Sequence, residues 1–597
     1  MMYTHKKHGT RTSRRAPGVI LTLALALSAG AGIIAPANAA TTPQPSPPRP
    51  DAISPSEPVL DGAGFGSYLA GRHASQHHDQ GAAAQFLSEA LAADPENTRL
   101  LHSTVVSLAA GGEMIEAMAL AGKLVTLDPD SELARLIVFV DAVANSDLER
   151  AKRQLADLSR DGIYGLLAPM LDAWVEFGLG DMDAALEAMQ PLANRKAYEP
   201  YFAFHAALIG DLAGKPIVAE EYYLKAVQSV PGGTLRVVAS YGAFLERQGR
   251  ADDARALYVA YLNNNPSALW LEPAMVRLDK GREAPVEVDS LQTGVAEVLF
   301  GIGKLLPQDT GGETSLIYSR MALHLRPDFP EAQVLVAEVY ETLDRLEDAV
   351  AAYNRISPDS RFYWTARLRA ATNLASLDRT EDAVSLLRVM VDEKTERTDA
   401  ATTLGDVLRY TERYAEAVVA YDAAVARTGA LVPRHWFLLY SRGVSLERTK
   451  EWARAEADFL QALELSPDQP LVLNYLGYSW LEQGMHLERA QAMIEKAVSL
   501  RPNDGYIVDS LGWAFYRLGD YDRAVRQLER AVELMPNDPV INDHLGDALW
   551  QAGRRLEARF QWTRSIELGA EEEAAAIIRR KLSRGLQAEA DADDDAS

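Results

Sequence analysis

The side chains best suited to binding a metal ion lie in one short stretch, from His73 to Asp79. His73 and His77 are four residues apart, so in a helix both imidazoles would project from the same face, an arrangement that suits zinc. His78 and Asp79 follow directly and could complete the ligand set. The alternative is a polar turn between two helices, which we favour because spacing is the only signal. We therefore predict no metal and no other cofactor.

No other pattern typical of an enzyme is found in the sequence. It has no His-Glu-x-x-His, Gly-x-Ser-x-Gly or P-loop motif. The closely spaced glycines at positions 62, 64 and 66 follow proline-rich sequence rather than a strand, which argues against a dinucleotide-binding loop. The absence of cysteine excludes disulfides, thiolate metal sites and a cysteine nucleophile. We therefore predict a protein without catalytic activity.

Length and charge limit the fold and the partners. At 597 residues the chain is too long for one compact core, so several domains or an elongated array are expected. The hydrophobic content of 48% and the charged content of 24% are those of a folded protein. A formal net charge of −24 disfavours a nucleic-acid partner, because phosphates select a basic surface.

The amino-terminal residues have the order of a secretory signal. Five basic residues lie between Lys6 and Arg15, an apolar stretch runs through residues 19–27, and Ala37-Asn38-Ala39 provides small residues for a signal peptidase. We predict a signal peptide over residues 1–39, cleaved after Ala39, and a periplasmic protein; an uncleaved membrane anchor is the alternative. No cysteine is available for a lipid anchor. Residues 40–63 are proline-rich and predict a stiff linker.

Internal repetition organises the rest of the chain. Glycines, and small residues 12 or 13 positions after each, recur at intervals of about 34 residues. The glycines are Gly405, Gly443, Gly477, Gly512 and Gly546, and the small residues are Ala417, Ala455, Ala490, Ala524 and Ala558. Large side chains follow those alanines by four residues, at Tyr421, Phe459, Ile494, Leu528 and Trp562. This spacing predicts two antiparallel helices per repeat, with the small residues where the helices approach closely.

The pattern resembles the tetratricopeptide repeat (TPR), most closely over residues 399–569, where Leu511-Gly512, Phe515, Ala524, Leu528 and Pro536 fit one repeat. The resemblance implies an all-α fold, a right-handed α-solenoid of about thirteen helix pairs. We place degenerate repeats at 64–282 and, after a break in helical periodicity between Leu278 and Gln292, at 283–398. Residues 570–597 predict a capping helix, whose apolar face is Ile577, Ile578 and Leu582, and an acidic tail.

The resemblance also implies a protein-binding groove, because the first helices of stacked repeats line a concave face. The groove positions carry aromatic and charged residues, which suit an extended or helical peptide. They are Tyr440, Arg448, Asn474, Tyr478, Tyr506, Asp509, Trp513, Tyr516, Arg517, Asp543, Asp547 and Trp550. Tyr478 and Trp513 fit the groove and the packing between repeats equally well, whereas Trp480, Phe515 and Trp562 are expected in the core.

These features favour a non-enzymatic periplasmic scaffold that binds protein or peptide partners. Residues 471–567 are similar to envelope TPR proteins of proteobacteria, a group that includes the adaptor of a periplasmic carboxyl-terminal processing protease. That resemblance implies a protease or a cell-wall enzyme as a partner. Two alternatives stay open: an assembly factor for outer-membrane proteins or exported polysaccharide, and an enzyme hidden in residues 64–398.

Overall fold

The structure is a computed structural model that describes residues 62–586, except 231–232, 266–268 and 307. All regular secondary structure in this part of the chain is helical. The predicted signal peptide, residues 40–61 of the predicted linker and the acidic tail lie outside the described residues. The chain divides into two compact units between Arg379 and Thr380, here called the first unit (residues 62–379) and the second unit (residues 380–586).

The first unit contains nineteen α-helices. They are α1 (Gly62–Gln76), α2 (Gln80–Ala93), α3 (Thr98–Gly111), α4 (Met114–Leu127), α5 (Glu132–Ala144), α6 (Leu148–Ala156), α7 (Tyr164–Gly178), α8 (Met182–Ala188), α9 (Gln190–Ala193), α10 (Glu199–Leu212), α11 (Pro216–Ser229), α12 (Leu235–Arg247), α13 (Ala251–Asn264), α14 (Glu272–Asp279), α15 (Leu291–Leu305), α16 (Gln308–Leu325), α17 (Pro330–Thr342), α18 (Leu346–Tyr353) and α19 (Tyr363–Ser376).

The second unit contains twelve α-helices. They are α20 (Thr380–Glu393), α21 (Asp399–Tyr410), α22 (Tyr414–Thr428), α23 (Trp436–Arg448), α24 (Trp452–Leu465), α25 (Pro470–Glu482), α26 (Leu487–Leu500), α27 (Gly505–Arg517), α28 (Tyr521–Leu534), α29 (Pro539–Gln551), α30 (Arg555–Glu567) and α31 (Glu572–Arg584).

Most of these helices pack in pairs as antiparallel hairpins. The first unit has eight such pairs: α1–α2, α3–α4, α5–α6, α7–α8, α10–α11, α12–α13, α15–α16 and α17–α18. The second unit has five: α21–α22, α23–α24, α25–α26, α27–α28 and α29–α30. The all-α architecture of about thirteen stacked helix pairs is therefore confirmed, and α31 follows the last pair as the predicted capping helix.

Within the second unit, each repeat glycine lies against the large residue that the sequence spacing assigned to it. A Cβ atom on Gly512 would lie 2.5 Å from Cγ of Leu528, and one on Gly546 would lie 2.4 Å from Cδ1 of Trp562. The same holds for Gly405 against Tyr421, Gly443 against Phe459 and Gly477 against Ile494. The glycines are thus required because any side chain there would overpack the contact between the two helices.

The residues between the repeats cap the start of the next helix. The Asp504 side chain accepts a hydrogen bond from the backbone amide of Ile507, and Asp538 accepts from the amides of Val540 and Ile541. Such caps satisfy backbone donors that the first turn of a helix leaves without partners. A tight turn at Gly519, whose φ is +81°, joins α27 to α28. Local sequence therefore determines where these hairpins begin and turn.

In the first unit, the first helices of early hairpins are covered by the chain itself. Helix α16 contacts α3 and α5, and α15 packs on α7. The contact between α7 and α15 is close: a Cβ atom on Gly294 would lie 2.4 Å from the Trp174 ring. The residues that would line a groove over α3, α5 and α7 therefore pack against α15 and α16.

The predicted break in helical periodicity is a non-helical connection, residues 280–290, between α14 and α15. It lies within the first unit rather than between the two compact units. Glu287 anchors it, because this carboxylate pairs with Arg236 of α12 and with Arg361, whose Nη1 lies 2.9 Å away. Burial alone would raise the pKa of Glu287, but the two guanidinium groups lower it to about 2.

Candidate functional site

The candidate site is the row of first helices in the second unit, α23, α25, α27 and α29. Helix α27 contacts both α25 and α29, so side chains from successive repeats meet along this row. Each of these helices also packs on the second helix of its own hairpin, where the repeat glycine meets a large core residue. Trp480, Phe515 and Trp562 are buried in that core, as the spacing predicts.

Trp513 of α27 lies at the centre of the row. Its ring stacks on Tyr516 with centroids 4.6 Å apart and on His544 of α29 with centroids 4.2 Å apart. Its indole Nε1 donates to Oε1 of Glu482 on α25 at 2.8 Å, and Arg517 donates to the same oxygen at 2.7 Å. Trp513 is half-buried and contacts the repeats on both sides of its own, so it serves inter-repeat packing.

Asp509 and His544 form a second link between α27 and α29. Nδ1 of His544 lies 3.0 and 3.1 Å from the two carboxylate oxygens of Asp509. Burial alone would lower the pKa of His544, but the negative charge of Asp509, with smaller contributions from Asp543 and Asp547, raises it above its ordinary value. This shift favours the protonated form of His544, whose ring hydrogen-bonds to Asp509 and stacks on Trp513.

Two acidic residues of α29 form ion pairs with a lysine of the capping helix. Nζ of Lys581, on α31, donates to Asp543 at 3.0 Å and to Asp547 at 2.7 Å. Asp547 also accepts from Nε1 of Trp562 at 2.8 Å. Burial, together with repulsion from Asp543, raises the pKa of Asp547 to about 6, although Lys581 and Trp562 oppose the rise.

Trp550 is covered at the same end of the row. It lies 5.3 Å from the Trp562 ring, and a Cβ atom on Gly585 would lie 2.3 Å from its Cζ2 atom. Ile578 of α31 is buried, and Ile577 and Leu582 are partly buried, so α31 has the apolar face predicted for a capping helix. The predicted groove residues of α29 therefore pack against α31 and Trp562.

The remaining predicted groove residues differ in accessibility. Tyr506 is 56% exposed. Tyr478 is half-buried, and burial followed by the charges of Glu482 and Asp509 raises its pKa. Asn474 is also half-buried, and its Oδ1 atom is buried without a hydrogen-bond partner in the described part of the chain.

Tyr440 and Arg448, both on α23, are held by neighbouring rings. Tyr440 meets Tyr475 edge-on at a centroid distance of 5.8 Å. The Arg448 guanidinium lies over the ring of Tyr414, 5.6 Å from its centroid. The structure therefore places all twelve predicted residues on α23, α25, α27 and α29, and whether they bind a partner stays a prediction.

Three residues of this site were missed by sequence reasoning. The resemblance to tetratricopeptide repeats places groove positions three residues before, one after, and four or five after the repeat glycine. Glu482 is five residues after Gly477, so this rule applied to α25 would have found it. His544 is two residues before its repeat glycine, outside that rule. Lys581 lies among the apolar residues of α31, and a single lysine on such a face is the signal that could have indicated a buried acidic partner.

His73 lies in the last turn of α1, and His77 and His78 form the turn that leads to α2. The rings of His73 and His77 are 4.2 Å apart, and Nδ1 of His77 hydrogen-bonds to the backbone oxygen of His73 at 2.9 Å. Arg345 contacts the backbone oxygen of His78 and lies 3.6 Å from Asp79. Among the described residues, no group of three or more histidine, aspartate or glutamate side chains is arranged to hold a metal ion.

A cluster of buried charged residues lies within the described part of the first unit. Arg236 donates to Glu297 at 2.8 and 2.6 Å and to Glu331 at 3.1 Å, and Arg361 also pairs with Glu331. The carboxylates of Glu297 and Glu331 are thus each paired with at least one guanidinium group. The cluster joins α12, α15 and α17 to the connection at residues 280–290.

Within the described residues, no helix combines the length and the apolar character needed to span a membrane.

Comparison with known families identifies the repeats. A tetratricopeptide repeat model matches residues 402–470 and 440–505, and a second TPR model matches residues 512–553. The chain is also similar to the TPR repeat-containing protein PA4667 of Pseudomonas aeruginosa, at 28% identity over 182 residues. That match covers 30% of this chain and 30% of the relative's length. Residues 402–505 and 512–553, all in the second unit, therefore carry tetratricopeptide repeats.

Two solved structures illustrate the similarity of the chain to known structures, both at TM-scores below 0.5. The Cut9–Hcn1 hetero-tetramer of the APC/C matches with a TM-score of 0.37 at 15% identity, covering 88% of this chain and 97% of that chain. A TPR protein from Parabacteroides merdae matches with a TM-score of 0.35 at 14% identity, covering 42% of this chain and 96% of that chain.

Proposed function

We propose that this protein is a non-enzymatic scaffold of the bacterial periplasm, which binds an extended segment of a protein partner along the first helices of the second unit. TPR arrays are generally protein-interaction scaffolds, and this supports the class of function. In its most specific form the proposal is an adaptor that holds a processing protease together with its substrate. The similarity of residues 471–567 to envelope TPR proteins supports that form, and the leader-like residues 1–39 support the location.

One observation carries the proposal: the row from α23 to α27 presents aromatic rings and charges that the fold of the unit leaves partly exposed. Tyr506 is mostly in solvent, Tyr478 and Tyr516 are half-buried, and the Arg517 side chain keeps 37% of its surface accessible. Aromatic and arginine side chains in partly preformed surfaces are the usual anchors of protein interfaces. By contrast, α15 and α16 cover α3, α5 and α7 in the first unit.

The binding proposal is tested by co-purification from an envelope extract. Tyr506→Ala and Arg517→Glu change exposed side chains of the row, so we expect a partner retained by the wild-type protein to be lost or to bind at least about tenfold more weakly. Val419→Ala is the matched control, because Val419 is 70% exposed on α22, the second helix of its hairpin. Retention of every partner by both groove variants would contradict the proposal.

The identity of the retained proteins separates the adaptor from its alternative. A protease together with a cell-wall hydrolase supports the adaptor, whereas subunits of an outer-membrane or polysaccharide assembly support the assembly factor. The location is tested separately, by sequencing the amino terminus of the protein isolated from the periplasm. We expect it to begin at Ala40, and a chain that keeps residues 1–39 in the cytoplasm would contradict the proposal.

A further inference from the structure

One face of α30, the second helix of the last hairpin, carries two large apolar side chains in solvent. Leu556 is 85% exposed and Phe560 is 64% exposed. The two residues are four positions apart, so they are neighbours on the helix surface. Thr563 and Glu567 continue the same exposed face. Single exposed apolar side chains are ordinary, but adjacent large ones often mark a contact surface.

Packing within the repeats does not explain this face. Leu556 and Phe560 lie two residues before and two residues after the buried Ala558. The same two positions are exposed in every other hairpin of the second unit, and in none of them are both large and apolar. They are Ala415 and Val419 in α22, Ala453 and Ala457 in α24, Glu488 and Ala492 in α26, and Asp522 and Arg526 in α28.

We propose that this face joins two copies of the chain through antiparallel α30 helices. A two-fold axis close to Phe560 would bring the two Phe560 rings together, with one Leu556 a turn away on either side. Glu557 and Arg564 are seven residues apart and therefore lie on the same flank of the helix. An antiparallel copy places Arg564 opposite Glu557, where it would join Arg554 of the same helix end at this carboxylate. The symmetry repeats this pair, so the Glu557 flank of the helix is complementary in charge to a second copy.

The size of the face sets the strength of the contact. Helix α30 has 13 residues, which corresponds to about 20 Å of helix. One helix face of this length buries less than the ~1,200 Å² at the lower end of stable interfaces. The association is therefore expected to depend on concentration, with a dissociation constant on the order of micromolar or weaker. It uses α30 alone and does not depend on the proposed groove.

The test is light scattering of the purified protein over a range of concentrations. We expect the mass to rise from one chain towards two, and Phe560→Glu to weaken the association at least about tenfold, because it places two carboxylates at the axis. Val419→Glu is the matched control, since it adds the same charge at the equivalent exposed position of α22, and it should leave the association unchanged. Circular dichroism of each variant verifies that the helices are intact.

A charge exchange tests the antiparallel arrangement. Glu557→Arg and Arg564→Glu should each weaken the association, and the double variant should restore it, because the exchanged charges again face each other. A wild-type protein that stays a single chain at all concentrations would overturn the proposal. So would association that Phe560→Glu leaves unchanged, or a double variant that is no stronger than the single ones.

Discussion

At the scale of single residues, the fold depends on glycines that face large side chains. Gly546 shows this most sharply, because the Trp562 ring that it contacts is held in place by the hydrogen bond from its Nε1 atom to Asp547. A methyl group at residue 546 would lie 2.4 Å from the ring. Neither the ring nor the helix backbone can move away without losing packing or that hydrogen bond. The contact therefore has little tolerance for added volume.

We predict that Gly546→Ala lowers the free energy of unfolding of the second unit by about 1–3 kcal/mol, the usual cost of overpacking. Gly301→Ala is the control, because Gly301 is inside α15 and a Cβ atom there would meet no atom within 4 Å. That substitution should stabilise its helix by about 0.5–1 kcal/mol. Chemical unfolding followed by circular dichroism measures both. A Gly546→Ala variant as stable as the wild-type protein would contradict this explanation of the repeat.

The spacing of residues in the sequence was enough to predict how the helices of each repeat pack. It was not enough to predict the hydrogen bonds and ion pairs of the candidate site. The pairs Gly512–Leu528 and Gly546–Trp562 follow directly from the 34-residue period, because helix geometry fixes which positions face each other. The spacing also placed Tyr478 and Trp513 on the first helices, but it could not decide between groove and packing. That choice depends on partners from neighbouring helices, such as His544, and no local pattern specifies them.

At the scale of helices, α31 does more than cover the apolar end of the last hairpin. It brings Lys581 into contact with Asp543 and Asp547 on α29, and all three groups are largely withdrawn from water. The acidic start and basic end of α31 made a helix predictable, and Ile577, Ile578 and Leu582 made its apolar face predictable. The lysine contact depends on where α31 docks, which these local signals do not fix.

The pKa of Asp547 predicts how stability responds to the loss of Lys581. Because the folded-state pKa, about 6, lies above the unfolded value of about 3.9, the folded protein binds more protons between these values. Ionised Asp547 therefore opposes folding above about pH 6, and Lys581 offsets this cost. Without the lysine, the folded-state pKa of the carboxyl rises further. Stability then falls more steeply as the pH increases.

We accordingly predict that Lys581→Met destabilises the second unit by about 3–5 kcal/mol at pH 8, the usual result of removing one partner of a buried ion pair, and by less at pH 5. Arg580→Met is the control, because Arg580 is an exposed cation next to Lys581 on the same helix. It should have little effect at either pH. Urea unfolding at the two pH values measures the difference, and an equal loss for Lys581→Met at both would show that packing, not charge, explains the role of the lysine.

At the scale of the whole molecule, both units are built from helical hairpins, but they differ in how far the first helices of those hairpins are covered by other helices. In the first unit, α15 and α16 pack against α3, α5 and α7, which are more than 100 residues earlier in the chain. In the second unit, α31 covers α29, while α23, α25 and α27 keep partly exposed side chains. The sequence signals a break near residues 280–290, but the packing of α16 on α3 leaves no periodic trace from which it could be predicted.

This difference predicts which part of the chain binds a partner. Residues 380–586 have their own core, which includes Phe459, Trp480 and Trp562, so this unit should fold when produced alone. We expect it to retain the partners of the full chain in co-purification from an envelope extract, and residues 62–379 to retain none of them. Tyr506→Ala in the isolated second unit is the control, since it should remove the same partners as in the full chain. Partners held by the first unit alone would mean that recognition uses surfaces outside the row of first helices on α23 to α27.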